Sequence, residues 1–355
     1  MEELWRAERP DTIASYAALP PSLQSAMQFA WQWEQGHDSF VVQTSGSTGP
    51  PKTIAISRQR MLVSARLTQQ ALQLTPRHTA LLCLNADTIG GKMMLVRGLH
   101  LGMDMVWVAP TANPLADLPR SPDLVAMVPL QLQTALAETP RQLENIHAIL
   151  VGGAPVSVAL EEAIRVQVAS PVYSTYGMTE TVSHIALRRL NGPKASAAFQ
   201  VLGDTRIGTD ERECLTIQGE ITQHQRIVTN DLVDITGPRQ FRWRGRYDWV
   251  INSGGVKVSP EQVERAVAQV WNLSLPQPRF FVTGLPDDRF GQRVVLVIEA
   301  PPAPKKDEQH LLASVAREVP PYHGPKEIRY IYPFRETASG KIDRRATMEG
   351  EEIQQ

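Results

Sequence analysis

The sequence predicts a multi-domain α/β protein: a large N-terminal domain with a layered α/β core and a β-rich subdomain, then a small α+β domain. Three observations lead there. Short apolar runs alternate with helical periods from about residue 40 to 175. The pattern then changes, after about Leu187, to short β segments punctuated by glycines. Finally a polar break, Arg244-Gly245-Arg246-Tyr247-Asp248, precedes a tail with its own helix and strand patterns. Strand–helix alternation argues for a layered domain with parallel pairing, and 355 residues suit two or three domains.

Taken in order, strands are expected at 40–43, 80–84, 105–109, 124–128, 146–151 and 171–174. Amphipathic helices are expected at 58–74, 91–101, 130–137 and 156–168. Ligands would then bind outside the carboxyl ends of the strands. Residues 199–251, with turns at Gly203-Asp204, Gly208, Gly219 and Gly237-Pro238, read as a barrel-like or folded-over antiparallel sheet. The boundaries that follow are 1–246 for the larger domain and 249–355 for the smaller, with a hinge near Asp248. In the tail, Ser259 suits an N-cap, Pro260 the first helical position, and Gln262 completes a capping box. Val263, Ala266, Val267, Val270 and Trp271 follow as one buried helix stripe. Strands at 280–283, 294–299 and 328–332 surround a helix within 308–319. The proline-rich stretch 301–306 reads as a surface linker.

Composition excludes several classes. Thirty-six Lys+Arg against thirty-seven Asp+Glu give a formal charge of −1, which offers no field for nucleic acid. No apolar run approaches the ~20 residues of a membrane span. Met1-Glu2-Glu3-Leu4-Trp5-Arg6 lacks the cationic start and apolar core of a secretory signal. Cys83 and Cys214, the only cysteines, form no disulfide framework. The expectation is a soluble, cytoplasmic protein; oligomeric state is not legible.

Four segments could carry chemistry. Thr44-Ser45-Gly46-Ser47-Thr48-Gly49-Pro50-Pro51-Lys52 follows an apolar strand. Its glycines let the backbone curl around a phosphate, and its hydroxyls and the Lys52 ammonium add donors. Pro51 stands where a Walker loop needs glycine, so it is not that motif. By composition alone it reads equally as a flexible turn. Tyr176-Gly177-Met178-Thr179-Glu180-Thr181 ends a strand with a hydroxyl beside a carboxylate, suited to a phosphate oxygen and a hydrated magnesium ion. Tyr176 could stack on a purine. Alone, this segment reads better as a polar capping loop. Thr229-Asn230-Asp231 with Arg246 offers two acceptors for a ribose diol and a fork of donors, or simply a pair of solvated turns. Ser339-Gly340-Lys341 in isolation is a tail lysine in water.

Order and spacing join these pieces. Together they resemble the adenylate-forming superfamily of acyl-CoA synthetases, peptide-synthetase adenylation domains and luciferases. The resemblance runs from about residue 40 to 347. Thr44, Ser45, Gly46, Ser47, Thr48, Gly49 and Lys52 match its phosphate loop. Tyr176, Gly177, Thr179 and Glu180 match its Y-G-x-T-E motif, and Gly153 and Ala154 the strand-end turn near the nucleotide. Asp231 and Arg246 match ribose contacts, and Asp248 the interdomain hinge. Gly255, Val256 and Lys257 match the loop that faces coenzyme A, and Lys341 the catalytic lysine.

What the resemblance implies is an acetyl-CoA synthetase-like fold and an AMP-forming acid–thiol ligase using ATP, Mg²⁺ and coenzyme A. Lys341 would bridge the substrate carboxylate and the α-phosphate, Thr179 would hold the α-phosphate, and Glu180 the magnesium. The smaller domain would rotate about Asp248 between the two half-reactions.

Only 43 residues precede Thr44, fewer than in usual members. That layout, with residues 181–188 and 91–94, is similar to compact bacterial o-succinylbenzoate–CoA ligases of menaquinone biosynthesis. Lys92, Ser183 and His184 are the candidates for the acid's second carboxylate. The resemblance also admits a general aryl- or fatty-acyl-CoA synthetase, a carrier-loading adenylation domain, or a degenerate nucleotide-binding protein. Two stretches depart from the family: residues 84–90 lack its aromatic or histidine motif, and Asn230 replaces a common glycine.

Overall fold

The computed structural model describes residues 3–4, 20–43, 53–271, 278–337 and 342–352. The phosphate-loop expectation at 44–52 and the lysine at 341 lie outside them. The chain opens with β1 (Glu3–Leu4), α1 (Pro21–Glu34), the paired strands β2 (Ser39–Gln43) and β3 (Thr53–Ser57), and α2 (Arg58–Leu72). Then come β4 (Thr79–Leu82), α3 (Ile89–Leu101), β5 (Asp104–Trp107), β6 (Leu124–Met127), α4 (Pro129–Glu138), β7 (Ala148–Val151), α5 (Val158–Gln167) and β8 (Val172–Gly177). Strands β5, β4, β6, β7 and β8 are neighbours and all parallel.

The central strands β4, β6 and β7 are buried on both faces, so they read as nearly continuous apolar runs, while β5 and β8 are only half-buried. Ala80, Leu82, Leu124, Ala148 and Leu150 enter one core, shared with Met61 and Val63 of α2 and Met93 and Val96 of α3. Their alternates Leu81, Val125, Ile149 and Val151 enter the other, against Leu132 and Leu136 of α4 and Leu160 and Ile164 of α5. Cys83 and Cys214 are both buried.

After β8 the chain continues as β9 (His184–Arg189), β10 (Phe199–Val201), β11 (Arg206–Thr209), β12 (Cys214–Gln218), β13 (Ile227–Gly237) and β14 (Gln240–Arg246). Of the two arrangements expected for residues 199–251, barrel-like or folded-over antiparallel sheet, the antiparallel pairing is present and a closed barrel is not. β9 pairs antiparallel with β8, and the later strands extend the same twelve-stranded sheet in the order β1-β5-β4-β6-β7-β8-β9-β10-β14-β13-β12-β11. Because β9 leaves no free edge on β8, the antiparallel strands have a ladder to join instead of closing on themselves.

A second, five-stranded sheet is built from β15 (Ile251–Ser253), β16 (Val256–Val258), β17 (Phe280–Asp287), β18 (Gly291–Ile298) and β19 (Glu327–Tyr330), with helices α6 (Pro260–Val270), α7 (Lys305–Glu318) and α8 (Arg344–Glu352). In β18 the alternation is again visible: Val294, Leu296 and Ile298 join Val263 and Val267 of α6, while Val295 and Val297 meet Phe281 and Phe334. The expected capping box at α6 is absent. Ser259 holds the N-cap position, but its hydroxyl donates to Arg244 O at 3.3 Å and to Glu261 Oε2 at 3.0 Å.

This start of α6 is pressed onto the end of β14. Glu261 Oε1 accepts the Arg246 amide at 3.2 Å, and Arg265 Nη2 donates to Trp243 O at 3.1 Å. Gly245 makes the approach possible, since a Cβ there would lie 2.3 Å from Glu261 Oε2. Among the described residues no helix is long and apolar enough to cross a membrane.

Candidate functional site

The carboxyl ends of β7 and β8 lie side by side, with Val151 opposite Ser174. After β7 the chain turns at Gly152 and Gly153. Gly153 has φ +81°, a left-handed conformation that favours glycine, and a Cβ on Gly152 would meet Thr175 Oγ1 at 2.2 Å. Ala154 follows in the same turn, half-buried.

After β8 the chain folds back at once. A Cβ on Gly177 would lie 2.2 Å from Ser183 O and 2.5 Å from His184 Cα, so only glycine fits. Thr179, Glu180 and Thr181 form a single 3₁₀ turn. The buried Thr181 hydroxyl binds it internally, accepting from the Met178 amide at 3.0 Å and facing Ser183 O at 2.9 Å. Arg60, on α2, donates to Ile221 O at 2.9 Å and to the Glu180 carbonyl. The Glu180 side chain itself is exposed, and among the described residues it enters no ion pair.

Across the sheet stands Asp231 on β13, 7% exposed. Its Oδ2 accepts the Tyr176 hydroxyl at 2.6 Å and its Oδ1 the Trp243 indole N–H at 3.1 Å. Burial first, and then the Asp231 charge, push the Tyr176 hydroxyl well above its usual range, so it remains a donor. The Tyr176 ring packs edge-on to Phe241 and tilted to Phe199, with centroids 5.0 and 5.8 Å away.

Arg246 lies opposite Asp231 in the β13–β14 ladder, yet its fork is directed elsewhere. Nε and Nη2 bind Asp248 at 2.9 and 2.8 Å, and Nη1 stays 3.9 Å from Asp231. Asn230 accepts Arg212 Nη1 at 3.1 Å. The structure thus brings Tyr176, Asp231, Arg246 and Asp248 into one polar cluster at a strand end.

The Gly254-Gly255 turn, with φ +61° and +84°, joins β15 to β16 and carries Val256 and Lys257. Among the described residues this hairpin makes no hydrogen bond to the Tyr176–Asp231 cluster; the Gly254 amide donates to Phe290 O at 2.8 Å.

The three expected acid-binding residues do not meet. Lys92 donates to Ala86 O at 2.7 Å and lies 5.7 Å from the Phe29 ring, so it faces α1. Burial lowers its ammonium, partly offset by Asp87. Ser183 and His184 instead meet Arg97, five residues further along α3 and so on another face of the helix. Arg97 Nη2 donates to Ser183 Oγ at 3.0 Å and Nε to Thr68 Oγ1 at 3.2 Å; His184 Nε2 is 3.0 Å from the same Thr68 oxygen.

Arg97 is only 2% exposed, and among the described residues no carboxylate pairs with it. Burial pushes its guanidinium down to about 10, which still leaves it charged at neutral pH. Burial and that cation hold His184 well below the usual histidine range, hence neutral. The sequence did contain a signal for Arg97: it is the one charge in Met93-Met94-Leu95-Val96-Arg97-Gly98-Leu99. Residues 84–90 also acquire a role, because Asn85 and Thr88 start α3: Asn85 Oδ1 accepts the Asp87 amide at 2.8 Å and Thr88 Oγ1 the Gly91 amide at 3.3 Å.

Comparison with known proteins adds three likenesses and a family. Residues 9–215 match the family described as AMP-binding enzyme. A probable 2-succinylbenzoate–CoA ligase of Mycobacterium tuberculosis is 27% identical over 93% of this chain and 89% of its own length. Among solved structures, an acyl-CoA synthetase (AMP-forming)/AMP-acid ligase II-like protein from Dyadobacter fermentans is 43% identical, with TM-score 0.63, over 97% of this chain and 96% of that one. The o-succinylbenzoate CoA synthetase of Bacillus subtilis, solved with its acyl-adenylate intermediate, is alike in fold: TM-score 0.72 at 23% identity, over 86% of this chain and 68% of that one.

Proposed function

Because this chain belongs to the AMP-binding enzyme family and is an AMP-forming acid–CoA ligase, we propose that its acid is o-succinylbenzoate. The observation that carries the substrate is Arg97. A buried cation without an anion costs several kcal/mol in a folded protein. A substrate with a carboxylate beyond the reacting one supplies the missing partner, and Ser183 and Thr68 add hydroxyls beside it. The Mycobacterium relative named for this substrate supports the same reading.

Adenylation brings a carboxylate onto the α-phosphorus of ATP, anion against polyanion. Catalysis is therefore mostly positioning and charge neutralisation. In this proposal the loop of Ser45, Gly46, Ser47, Thr48, Gly49 and Lys52 grips the outer phosphates, and Thr179 the α-phosphate. Lys341 bridges the phosphate and the attacking carboxylate. Asp231 takes the ribose diol, with Arg246 beside it. Glu180 suits Mg²⁺, an ion that uses one or two carboxylates and takes its other ligands from phosphates and water; its carboxylate is exposed, and a metal there would supply positive charge to the phosphates. Coenzyme A thiolate then displaces AMP, the smaller domain having turned about Asp248 to bring Gly255, Val256 and Lys257 forward.

Pyrophosphate release across a panel of acids tests the substrate. Strong turnover is expected with o-succinylbenzoate and little with benzoate or fatty acids. The Arg97→Met variant is expected to lose at least about a hundredfold in kcat/KM for o-succinylbenzoate. Turnover of fatty acids but not o-succinylbenzoate would replace the menaquinone reading with a general acyl-CoA synthetase.

A further inference from the structure

We infer that Trp243 is a positioning residue for nucleotide recognition: its indole N–H fixes the Asp231 carboxylate so that one lone pair on each oxygen is left for the ribose hydroxyls. This rests on the reading of Asp231 as the ribose acceptor. An ionised carboxylate has about four acceptor sites, two on each oxygen. The Tyr176 hydroxyl occupies one on Oδ2, at 2.6 Å, and the Trp243 N–H one on Oδ1, at 3.1 Å. Each oxygen keeps a single further site, the pattern a vicinal diol requires.

Both donors suit the task. An indole N–H donates only, and the buried tyrosine hydroxyl stays protonated, so neither competes with the sugar for the role of donor or changes sign with pH. Without Trp243, Asp231 could rotate about its last bond, a soft torsion for a carboxylate. Trp243 is itself anchored. It sits opposite the buried Val233 in the β13–β14 ladder, on the same face as Asp231, and its carbonyl accepts Arg265 Nη2. The plainer alternative is that a half-buried indole has merely found an acceptor. The two differ in what they predict for nucleotides lacking a hydroxyl.

The test compares ATP with 2′-deoxy-ATP on the full-length wild type, Trp243→Phe, Asp231→Asn and the double variant, by calorimetric affinity and steady-state kinetics. Trp243→Phe should weaken ATP binding and raise KM about five- to tenfold, with kcat within about twofold, less than the loss of a direct hydrogen bond between nucleotide and a charged group because Asp231 itself remains. It should also shrink the preference for ATP over 2′-deoxy-ATP. Asp231→Asn should abolish that preference, and Trp243→Phe should add little to it in the double variant. Equal weakening toward both nucleotides, or no weakening, would overturn the positioning role while leaving the ribose reading intact. An unchanged preference in Asp231→Asn would remove both. Should Trp243→Phe fold poorly, replacing Trp243 with β-(3-benzothienyl)alanine keeps the shape and removes only the donor, and the same outcomes apply.

Discussion

Arg97 illustrates how a single residue can be costly to the fold and useful to the site. Its guanidinium is buried against Ser183, Thr68 and the Met94 sulfur, with no carboxylate among the described residues to repay desolvation. Replacing a buried charge by an apolar side chain of similar length is often stabilising by 1–4 kcal/mol, though here two hydroxyls lose a donor. Arg97→Met should therefore raise the stability of the free protein by about 1 kcal/mol while removing activity, a trade typical of binding sites. Urea unfolding midpoints measure the first effect and pyrophosphate release the second. A variant that is clearly less stable would make Arg97 a structural strut. The residue was hard to read in the sequence for a physical reason. Helical spacing says which side of α3 a side chain leaves from, but not which neighbour waits there. Lys92 and Arg97 are both basic residues on an apolar helix, and only packing shows that one faces α1 and the other Ser183.

Elements were easier to read than their partners. The central strands β4, β6 and β7 and the helices around them follow from apolar periodicity, since strands buried on both faces carry a signal in nearly every residue. For residues 199–251 the antiparallel strands were legible, but whether they close into a barrel was not. Antiparallel strands have the same alternation whether they close into a barrel or extend an existing sheet, and the pairing of β9 with β8 decides between these. The hydroxyl of Ser259 was misread likewise, because local pattern cannot reveal that Arg244 O lies nearby. The turn after β8 is where sequence and geometry agree most closely: Gly177 precedes Thr179 and Glu180 and has no space for a side chain. Gly177→Ala meets backbone at 2.2 Å and should cost about 3 kcal/mol or more, displacing Ser183 as it does so. Gly152→Ala meets a threonine hydroxyl that can rotate, and about 1 kcal/mol is expected. Comparing the two in chemical denaturation checks the contrast; equal losses would mean the β8 turn is not the tight one.

At the level of the whole molecule, two sheets meet where α6 grips the last residues of β14. The hydrogen bonds from Ser259 to Arg244 O, from the Arg246 amide to Glu261 and from Arg265 to Trp243 O all span Asp248 in sequence. A rotation about Asp248 would break all three, so the proposed exchange between half-reactions has a defined set of contacts to release. If residues 249–355 do alternate in this way, Lys341→Ala should lower adenylate formation about a hundredfold or more. It should leave conversion of supplied acyl-adenylate to thioester within severalfold of wild type. Equal damage to both steps would count against alternation. The two native thiols make such a motion measurable. Burial pushes Cys83 up to about 12 and raises Cys214 as well, so neither presents a thiolate at neutral pH. Maleimide-linked fluorophores or spin labels would thus attach selectively to a pair of introduced surface cysteines, one on either side of Asp248, against a silent native background.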